Sequence, residues 1–238
     1  MQDDKRDYKS EDLRSFGRIR ARKRSARQQR LLDELLSQYA IDLRDVEQGN
    51  LNLFFFPPPK DLWMEIGFGS AEHLIEQSKL YPDIGFIGSE PFEGGILKAL
   101  SAIEIGNIQN VRLHNADVRP LLRILPKSSL GRIFIFFPDP WPKARHTKRR
   151  LFNPEFVNIV ADVLKPGAEL RVATDIRSYA EDIFEICSGH PSFVRQGWRE
   201  DLFENPWPDW PGTRYQRKAL KEGRTPLYLT FCRAVADG

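Results

Sequence analysis

The sequence has little cysteine, few histidines and no long apolar segment. Its two cysteines cannot build a disulfide framework, and its four histidines lack the spacing of a metal site. The longest apolar runs, 54–56 and 133–137, are far too short to span a bilayer. No apolar stretch follows Met1, which argues against a signal peptide. We therefore expect a soluble, reduced, cytoplasmic protein with no metal and no membrane partner.

The composition is that of an ordinary globular protein. Apolar residues make up 41% of the 238 residues and charged residues 29%, which argues against a disordered chain or a fibrous repeat. This length suits one large domain, or one domain with an extension.

Positive charge is concentrated in two windows that contain no acid. Residues 14–30 hold eight Lys and Arg residues, and residues 143–150 hold five more. Since the net charge of the whole chain is only +3, the remainder carries a net charge of −10. This segregation indicates a polyanion-binding surface on an acidic body. A solvated N-terminal tail would also explain the first window taken alone.

From residue 61 onward, apolar runs alternate five times with helical patterns. The run Ile133–Phe137 is apolar at every position, as in a strand covered on both faces. The alternation predicts a doubly wound α/β fold with a mostly parallel sheet. The predicted strands span 62–66, 84–89, 111–114, 132–137 and 169–174, with a late strand at 227–232. The predicted helices span 71–80, 92–105, 118–125, 154–164 and 178–187.

Residues 1–50 are predicted to form a basic arm with a short amphipathic helix, ahead of the main domain at 51–238. Apolar residues recur there at helical spacing: Leu31, Leu32, Leu35, Leu36 and Tyr39. We expect this helix to dock on the domain and to leave the arginines before it free. The Pro57–Pro59 run marks a rigid connector.

Glycines and acids fall where the predicted strands end. Gly67 and Gly69 follow the first strand, where glycine lets the backbone approach a ligand closely. A dinucleotide fingerprint would have a third glycine at position 72, which is Glu72. A carboxylate at a helix start opposes a pyrophosphate, so the turn suits another ligand. A tight strand–helix turn would also explain the glycine pair.

Three further acids follow the next strands. Glu90 is placed to accept the two hydroxyls of a ribose, and Asp117, in Asn115-Ala116-Asp117, to accept an adenine amino group. Asp139 follows the fourth strand. Each acid alone would serve equally as a helix N-cap. Together at one edge of the sheet they indicate a site for S-adenosylmethionine.

A resemblance to a known family comes from the segment after the fourth strand. Residues 137–150, which read FPDPWPKARHTKRR, closely resemble the signature of the bacterial tRNA (guanine-N7-)-methyltransferase family. Thr213–Lys218 resembles the second signature of that family, and Ser15–Arg18 its N-terminal arm. The resemblance covers nearly the whole chain. It implies a Rossmann-like methyltransferase fold with a mostly parallel seven-stranded sheet, and methyl transfer to N7 of a guanine in the tRNA variable loop.

The resemblance also implies a role for each matching residue. The implied cofactor contacts are Glu65, Gly67, Gly69, Glu90, Asn115, Asp117 and Asp139, and Asp139 is also the implied catalytic residue. The implied substrate contacts are Lys143, Asp175, Thr213, Arg214, Tyr215 and Gln216. The implied RNA contacts are Arg145, His146, Lys148, Arg149 and Arg150. Many relatives carry Glu where this chain has Gln216, so we expect only a neutral hydrogen-bonding role there.

Three alternatives fit parts of the sequence. A methyltransferase acting on another RNA, a small molecule or a protein would share the cofactor half, but the last two would leave the basic windows unexplained. A non-catalytic RNA-binding protein would not need the acids and the glycine turn. A nicotinamide-dependent oxidoreductase is disfavoured by the missing third glycine. It is also disfavoured by Glu65, because an acid just before the glycines suits a ligand that bears a cationic amine. We expect tRNA as the partner and a monomer or weak homodimer.

Overall fold

A computed structural model describes residues 24–49, 51–141, 144–194 and 203–235 of the chain. The strands are β1 (Asp61–Ile66), β2 (Ile84–Ser89), β3 (Val111–His114), β4 (Leu130–Phe136), β5 (Leu164–Thr174) and β6 (Leu227–Cys232). The helices are α1 (Ala26–Arg30), α2 (Leu36–Tyr39), α3 (Leu43–Glu47), α4 (Glu72–Leu80), α5 (Glu93–Gly106), α6 (Val118–Ile124), α7 (Pro154–Val163), α8 (Arg177–Ser188) and α9 (Arg214–Lys221). A π-helical turn joins α1 to α2 at Leu31–Leu35, and 3-10 turns lie at Leu51–Phe54 and Ala144–Arg149.

The strands form one sheet in the order β3-β2-β1-β4-β5-β6. The first five strands are parallel, and β6 runs antiparallel to β5. The predicted doubly wound, mostly parallel α/β fold is therefore confirmed, but the described residues contain six strands and not seven. Beyond β6, the described residues add a single bridge between Phe193 and Arg233.

Helices cover both faces of the sheet because side chains of the central strand alternate between two cores. Ile133 and Ile135 of β4 lie in the core under α6, α7 and α8. Phe134 and Phe136 lie in the opposite core, under α4, α5 and the N-terminal helices. This alternation explains why β4 is apolar at consecutive positions. None of the helices in the described ranges is long and apolar enough to cross a membrane.

The predicted amphipathic helix is present as α1, the π-helical turn and α2. Its buried residues include Leu31 and Tyr39, and the Tyr39 hydroxyl donates a hydrogen bond to the Ile108 carbonyl at 3.0 Å. The expectation of free arginines at its start is wrong for Arg24, which pairs with Glu93 of α5 at 2.5 Å. Arg27 and Arg30 both pair with Glu104 of the same helix. Residues 1–23, with the rest of the first basic window, lie outside the described residues.

Candidate functional site

A cavity of about 500 Å³ opens at the C-terminal edge of the parallel strands. It lies beside β1, which has β2 on one side and β4 on the other, so that the strand order reverses at this point. Such a reversal is the usual ligand position of an open α/β sheet. Its borders come from five segments: the glycine turn after β1, the start of α5, the start of α6, the chain after β4 and the start of α9. These segments are far apart in sequence, and the sheet brings them together.

The glycine turn after β1 uses conformations that favour glycine. Gly67 and Gly69 have φ values of +72° and +55°, and both border the cavity. A Cβ atom placed on Gly69 would lie 3.2 Å from the ring of Tyr215. The predicted close approach of the backbone to a ligand is therefore possible at this turn, with Tyr215 beside it.

Glu90 ties the end of β2 to the glycine turn. Its Oε2 accepts a hydrogen bond from the Gly69 amide at 2.8 Å, and its Oε1 accepts one from the Phe92 amide at 2.9 Å. Burial raises the pKa of Glu90, while the hydrogen bonds that it accepts from the two backbone amides oppose that shift. Each carboxylate oxygen retains a lone pair, so Glu90 can still accept hydrogen bonds from two ribose hydroxyls.

Asp117 caps α6 and borders the cavity beside Arg119. Its Oδ1 accepts a hydrogen bond from the Arg119 amide at 2.9 Å, and its Oδ2 pairs with Arg119 Nη1 at 2.8 Å. Arg119 was not predicted as a site residue, because a strand-end pattern does not mark a position inside a helix. Asn115 is exposed and does not border the cavity.

Glu65 lies behind the cavity and not on its border. It is 3% exposed, and its Oε2 lies 2.8 Å from Nδ1 of the buried His73. The His73 ring packs edge-on against Phe134 and Phe136. In this arrangement Glu65 holds the start of α4 against β1, and its direct contact with a ligand stays a prediction.

The chain after β4 adopts a strained turn that carries Asp139. Phe137 and Trp141 have φ values of +51° and +41°, in the left-handed region that costs a non-glycine residue roughly 1–2 kcal/mol. The Phe137 amide donates a hydrogen bond to the Ala173 carbonyl of β5 at 2.7 Å. Phe137, Asp139 and Trp141 all border the cavity. Strain of this kind at a cavity is a reason to assign function to the turn.

The second basic window divides into exposed and anchored residues. Arg145 and Lys148 are exposed, and His146 packs its ring edge-on against Trp141. Arg149 lies over the Trp141 ring at 5.1 Å and borders the cavity. Lys143, a predicted substrate contact, lies outside the described residues.

Arg150 is the anchor of this basic segment. Its Nε donates to the Pro140 carbonyl at 2.8 Å, its Nη1 pairs with Asp182, and its guanidinium lies over the Tyr179 ring at 4.7 Å. The side chain is only 12% exposed. These contacts make Arg150 a support for the turn that carries Asp139, and its contact with RNA stays a prediction.

The second signature forms the start of α9. Thr213 is its N-cap and accepts a hydrogen bond from the Gln216 amide at 3.1 Å. The Arg214 amide donates to Glu72 of α4 at 2.5 Å. Arg214 and Tyr215 border the cavity, and Tyr215 is 53% exposed. Its ring is nearly parallel to that of Phe137, with centroids 6.3 Å apart.

Gln216 points away from the cavity into an aromatic cluster. Its amide oxygen accepts a hydrogen bond from Trp210 Nε1 at 2.9 Å, and its amide nitrogen donates to the Tyr228 hydroxyl at 2.8 Å. Because an indole nitrogen only donates, the orientation of the amide is unambiguous. The expected neutral hydrogen-bonding role thus has partners within the fold, while contact with substrate stays a prediction.

A network of four charged residues, which was not predicted, fastens the segment before α9 to the sheet. Arg171 pairs with Asp209 and with Glu169, at 2.9 Å in each case. Arg132 pairs with Glu169 at 3.0 Å and lies 4.2 Å from the Trp63 ring. Burial alone would raise the pKa of Asp209, but the charge and hydrogen bond of Arg171 lower it below its ordinary value.

No group of three or more potential metal-ligating side chains is found in the described part of the chain.

Comparisons with known proteins match this architecture. A protein-family model described as "Putative methyltransferase" matches residues 59–229. The tRNA (guanine-N(7)-)-methyltransferase of Roseobacter denitrificans is 42% identical over 226 residues, covering 92% of this chain and 95% of that protein. The protein of the same name from Rhodospirillum rubrum is 43% identical over 229 residues, covering 94% of this chain and 89% of that protein.

Two solved structures share the fold. The 16S rRNA methyltransferase KamB has a TM-score of 0.55 at 16% identity, over 80% of this chain and 94% of that one. The phosphoethanolamine N-methyltransferase 2 of Haemonchus contortus, solved with S-adenosyl-L-methionine, has a TM-score of 0.50 at 11% identity, over 89% of this chain and 60% of that one. Both structures are methyltransferases, and at these identities the similarity extends to the fold alone.

Proposed function

Because this chain belongs to the tRNA (guanine-N7-)-methyltransferase family, we propose that it transfers a methyl group from S-adenosylmethionine to N7 of a guanine in the variable loop of tRNA. The observation that carries the proposal is the cavity itself. It brings the carboxylates of Glu90, Asp117 and Asp139 to one edge of the sheet, next to the basic turn that begins at Ala144.

The cavity fits the cofactor of the family. Its volume of about 500 Å³ is in the range of sites for compact organic ligands. We assign the ribose hydroxyls to Glu90, the adenine amino group to Asp117, and the close approach of the backbone to Gly67 and Gly69. Glu65, which lies behind the cavity, and Asn115, which is exposed outside its border, are also assigned to the cofactor. When bound, S-adenosylmethionine supplies a methyl group on a positively charged sulfur.

The residues of the chain act by positioning and by charge. Guanine N7 has an in-plane lone pair and no proton, so its methylation needs no general base, and holding the base in line supplies much of the rate. Methylation makes the purine cationic. Asp139, on the cavity border, is therefore assigned as the residue that stabilises this developing charge. Asp175, Thr213, Arg214, Tyr215, Gln216 and Lys143 are assigned to the substrate side.

The basic segments are assigned to the tRNA backbone. Arg145, His146, Lys148, Arg149 and Arg150 lie in or directly after the turn that follows Asp139, so they are placed to meet phosphates near the reacting base. We assign residues 1–50 as an arm that adds to this binding, and residues 51–238 as the methyltransferase domain. A cytoplasmic monomer or weak homodimer is consistent with this substrate.

The test is methyl transfer from labelled S-adenosylmethionine to unmodified tRNA transcripts, followed by the strand-cleavage chemistry specific for N7-methylguanosine. Label together with cleavage at one variable-loop guanine would support the proposal. Label without cleavage would show that the methyl group is on another atom of the tRNA. Cleavage at another position would show that a different guanine is methylated. Failure to incorporate label, despite cofactor binding by calorimetry, would contradict a tRNA substrate for this chain alone.

A further inference from the structure

An ion pair between Asp175 and Arg224 lies at the C-terminal edge of the sheet. Arg224 Nε donates to Oδ2 of Asp175 at 2.6 Å, and the guanidinium also pairs with Glu222. The Asp175 side chain is 17% exposed. In the described part of the structure, no hydrogen bond is made to its other oxygen, Oδ1. The pair thus fixes one oxygen of the carboxylate and leaves the second one open.

The register of the sheet places this pair at the same edge as Asp139, although Asp175 and Arg224 themselves are not on the cavity border. Phe136 of β4 lies opposite Ala173 of β5, so the chain to Asp139 and the chain to Asp175 leave the sheet side by side. Neighbouring strands are about 4.8 Å apart, so Asp175 lies roughly one strand further along the edge. β6 runs antiparallel and begins opposite Thr174, which brings the segment before it, with Arg224, to the same edge.

A carboxylate about one strand away from Asp139 suits a guanine whose N7 faces the cavity. Moving away from N7, the base presents O6, then the N1–H group, then the 2-amino group. An ionised carboxylate only accepts hydrogen bonds, so it complements N1–H and the 2-amino group. Adenine presents an unprotonated N1 and has no 2-amino group, and its N1 lone pair would face the same carboxylate.

We propose that Arg224 is a positioning residue for guanine selection, which it exerts by holding Asp175 so that Oδ1 accepts hydrogen bonds from the Watson–Crick donors of the target base. The inference rests on the proposed function and adds to it the residue that orients the base-reading carboxylate. A guanidinium suits this task because its planar array of donors fixes a carboxylate in direction as well as in distance.

The test compares two tRNA transcripts, one with guanosine and one with inosine at the target nucleotide. Inosine keeps N7, O6 and N1–H but lacks the 2-amino group. We expect the wild-type protein to prefer guanosine by about tenfold in kcat/KM, the size of one charge-assisted hydrogen bond. Arg224→Met should lose most of this preference by slowing guanosine methylation. The inosine rate should fall less, because inosine has only the N1–H donor to lose, and the Kd for S-adenosylhomocysteine, measured by calorimetry, should stay within about twofold.

Two further variants separate positioning from folding. Arg224→Lys keeps the charge without the planar donors and should show an intermediate preference. Arg123→Met is the matched control, because Arg123 pairs with Glu155 at 2.7 Å, has a similar exposure and lies away from this edge. The control should keep the wild-type preference. Thermal unfolding of each variant checks that the fold is intact.

The remaining outcomes contradict either the role of Arg224 or the proposed function. An Arg224→Met protein that keeps the full guanosine preference, or that slows both substrates equally, would overturn the role of Arg224. A wild-type protein that forms no N7-methylguanosine on the guanosine transcript would overturn the proposed function and the inference with it. That outcome is seen in the wild-type experiment alone.

Discussion

The indole nitrogen of Trp210 donates a hydrogen bond to the side-chain oxygen of Gln216 at 2.9 Å. The same side chain donates to the Tyr228 hydroxyl, so one amide joins the loop before α9 to strand β6. Burial raises the pKa of Tyr228 to about 12. The start of α9, with Arg214 and Tyr215 on the cavity border, thus depends on a contact made behind it.

Gln216→Ala should destabilise the protein by about 1–3 kcal/mol, because it leaves the Trp210 and Tyr228 groups without their partner. Gln216→Glu should lose less, since the Tyr228 hydroxyl can turn to donate to the carboxylate. Urea unfolding measures both differences. Unchanged stability in the alanine variant together with a large loss of tRNA methylation would show instead that Gln216 acts on the substrate.

Asp139→Asn should lower the turnover of tRNA by about 100-fold, because it removes the charge assigned to stabilise the cationic purine. Affinity for S-adenosylhomocysteine should fall much less than turnover, although Asp139 is also an implied cofactor contact. Single-turnover methylation and calorimetry measure the two effects. Full turnover in the variant would remove Asp139 from the chemical step, and an equal loss of cofactor affinity would make it a binding residue only.

Asp209→Asn should destabilise the fold by about 1–3 kcal/mol at neutral pH, because Arg171 and Tyr81 lose a charged acceptor. Since the pKa of Asp209 in the folded protein is below its ordinary value, its stabilising effect is present above that ordinary value, about 3.9. The effect is lost as the pH falls through the folded pKa. Urea unfolding at pH 7 and near pH 3 should therefore show a difference that shrinks on acidification.

The matched control for this experiment is Asp162→Asn, since Asp162 forms an exposed pair with Lys127 at 3.2 Å. Exposed pairs contribute about 0–1 kcal/mol, so the control should be close to the wild type at both pH values. A difference for Asp209→Asn that stays constant with pH would mean that its charge is not the stabilising feature.

Replacing Arg145 and Lys148 by Gln should weaken tRNA binding and reduce its salt dependence. Each lost phosphate contact lowers the slope of log K against log salt by about 0.7 to 0.9. Cofactor affinity should not change, because neither residue borders the cavity. Lys127→Gln provides a control of the same charge type, because Lys127 lies just before β4, at the opposite edge of the sheet from the cavity. An unaltered salt slope in the double variant would exclude the exposed part of the basic turn from the tRNA contact.

The strands of the sheet were predictable because a parallel strand covered on both faces has a short run of apolar residues in its sequence. The predicted bounds match β2, β3 and β6 and differ by one or two residues at β1 and β4. Strand β5 starts at Leu164, five residues before the predicted start, because α7 leads into it without a loop. Helix α9 was missed, since half of Arg214–Lys221 is charged and its apolar residues, Tyr215, Ala219 and Leu220, are too few to mark it as a helix. Its polar face makes contacts with Glu72 that only the fold reveals.

The site was predictable where residues sit at strand ends, and not where their partners come from elsewhere in the chain. Glu90, Asp117 and Asp139 border the cavity because strand ends converge in any parallel sheet. The pair of Asp175 with Arg224 joins residues 49 apart, and the pair of Arg171 with Asp209 joins residues 38 apart. Local patterns contain no information on such partners, so the sequence could identify the acids but not what orients them.

The ion pairs between the first helix and α5 set a limit on how the basic arm can exchange partners. Arg24, Arg27 and Arg30 account for three of the eight basic residues in the first window, and all three already face the carboxylates of Glu93 or Glu104. A phosphate that approaches them must displace an internal counter-ion and not one from solution. Such an exchange releases no salt ion, so these three residues would add little to the entropy gained when tRNA binds.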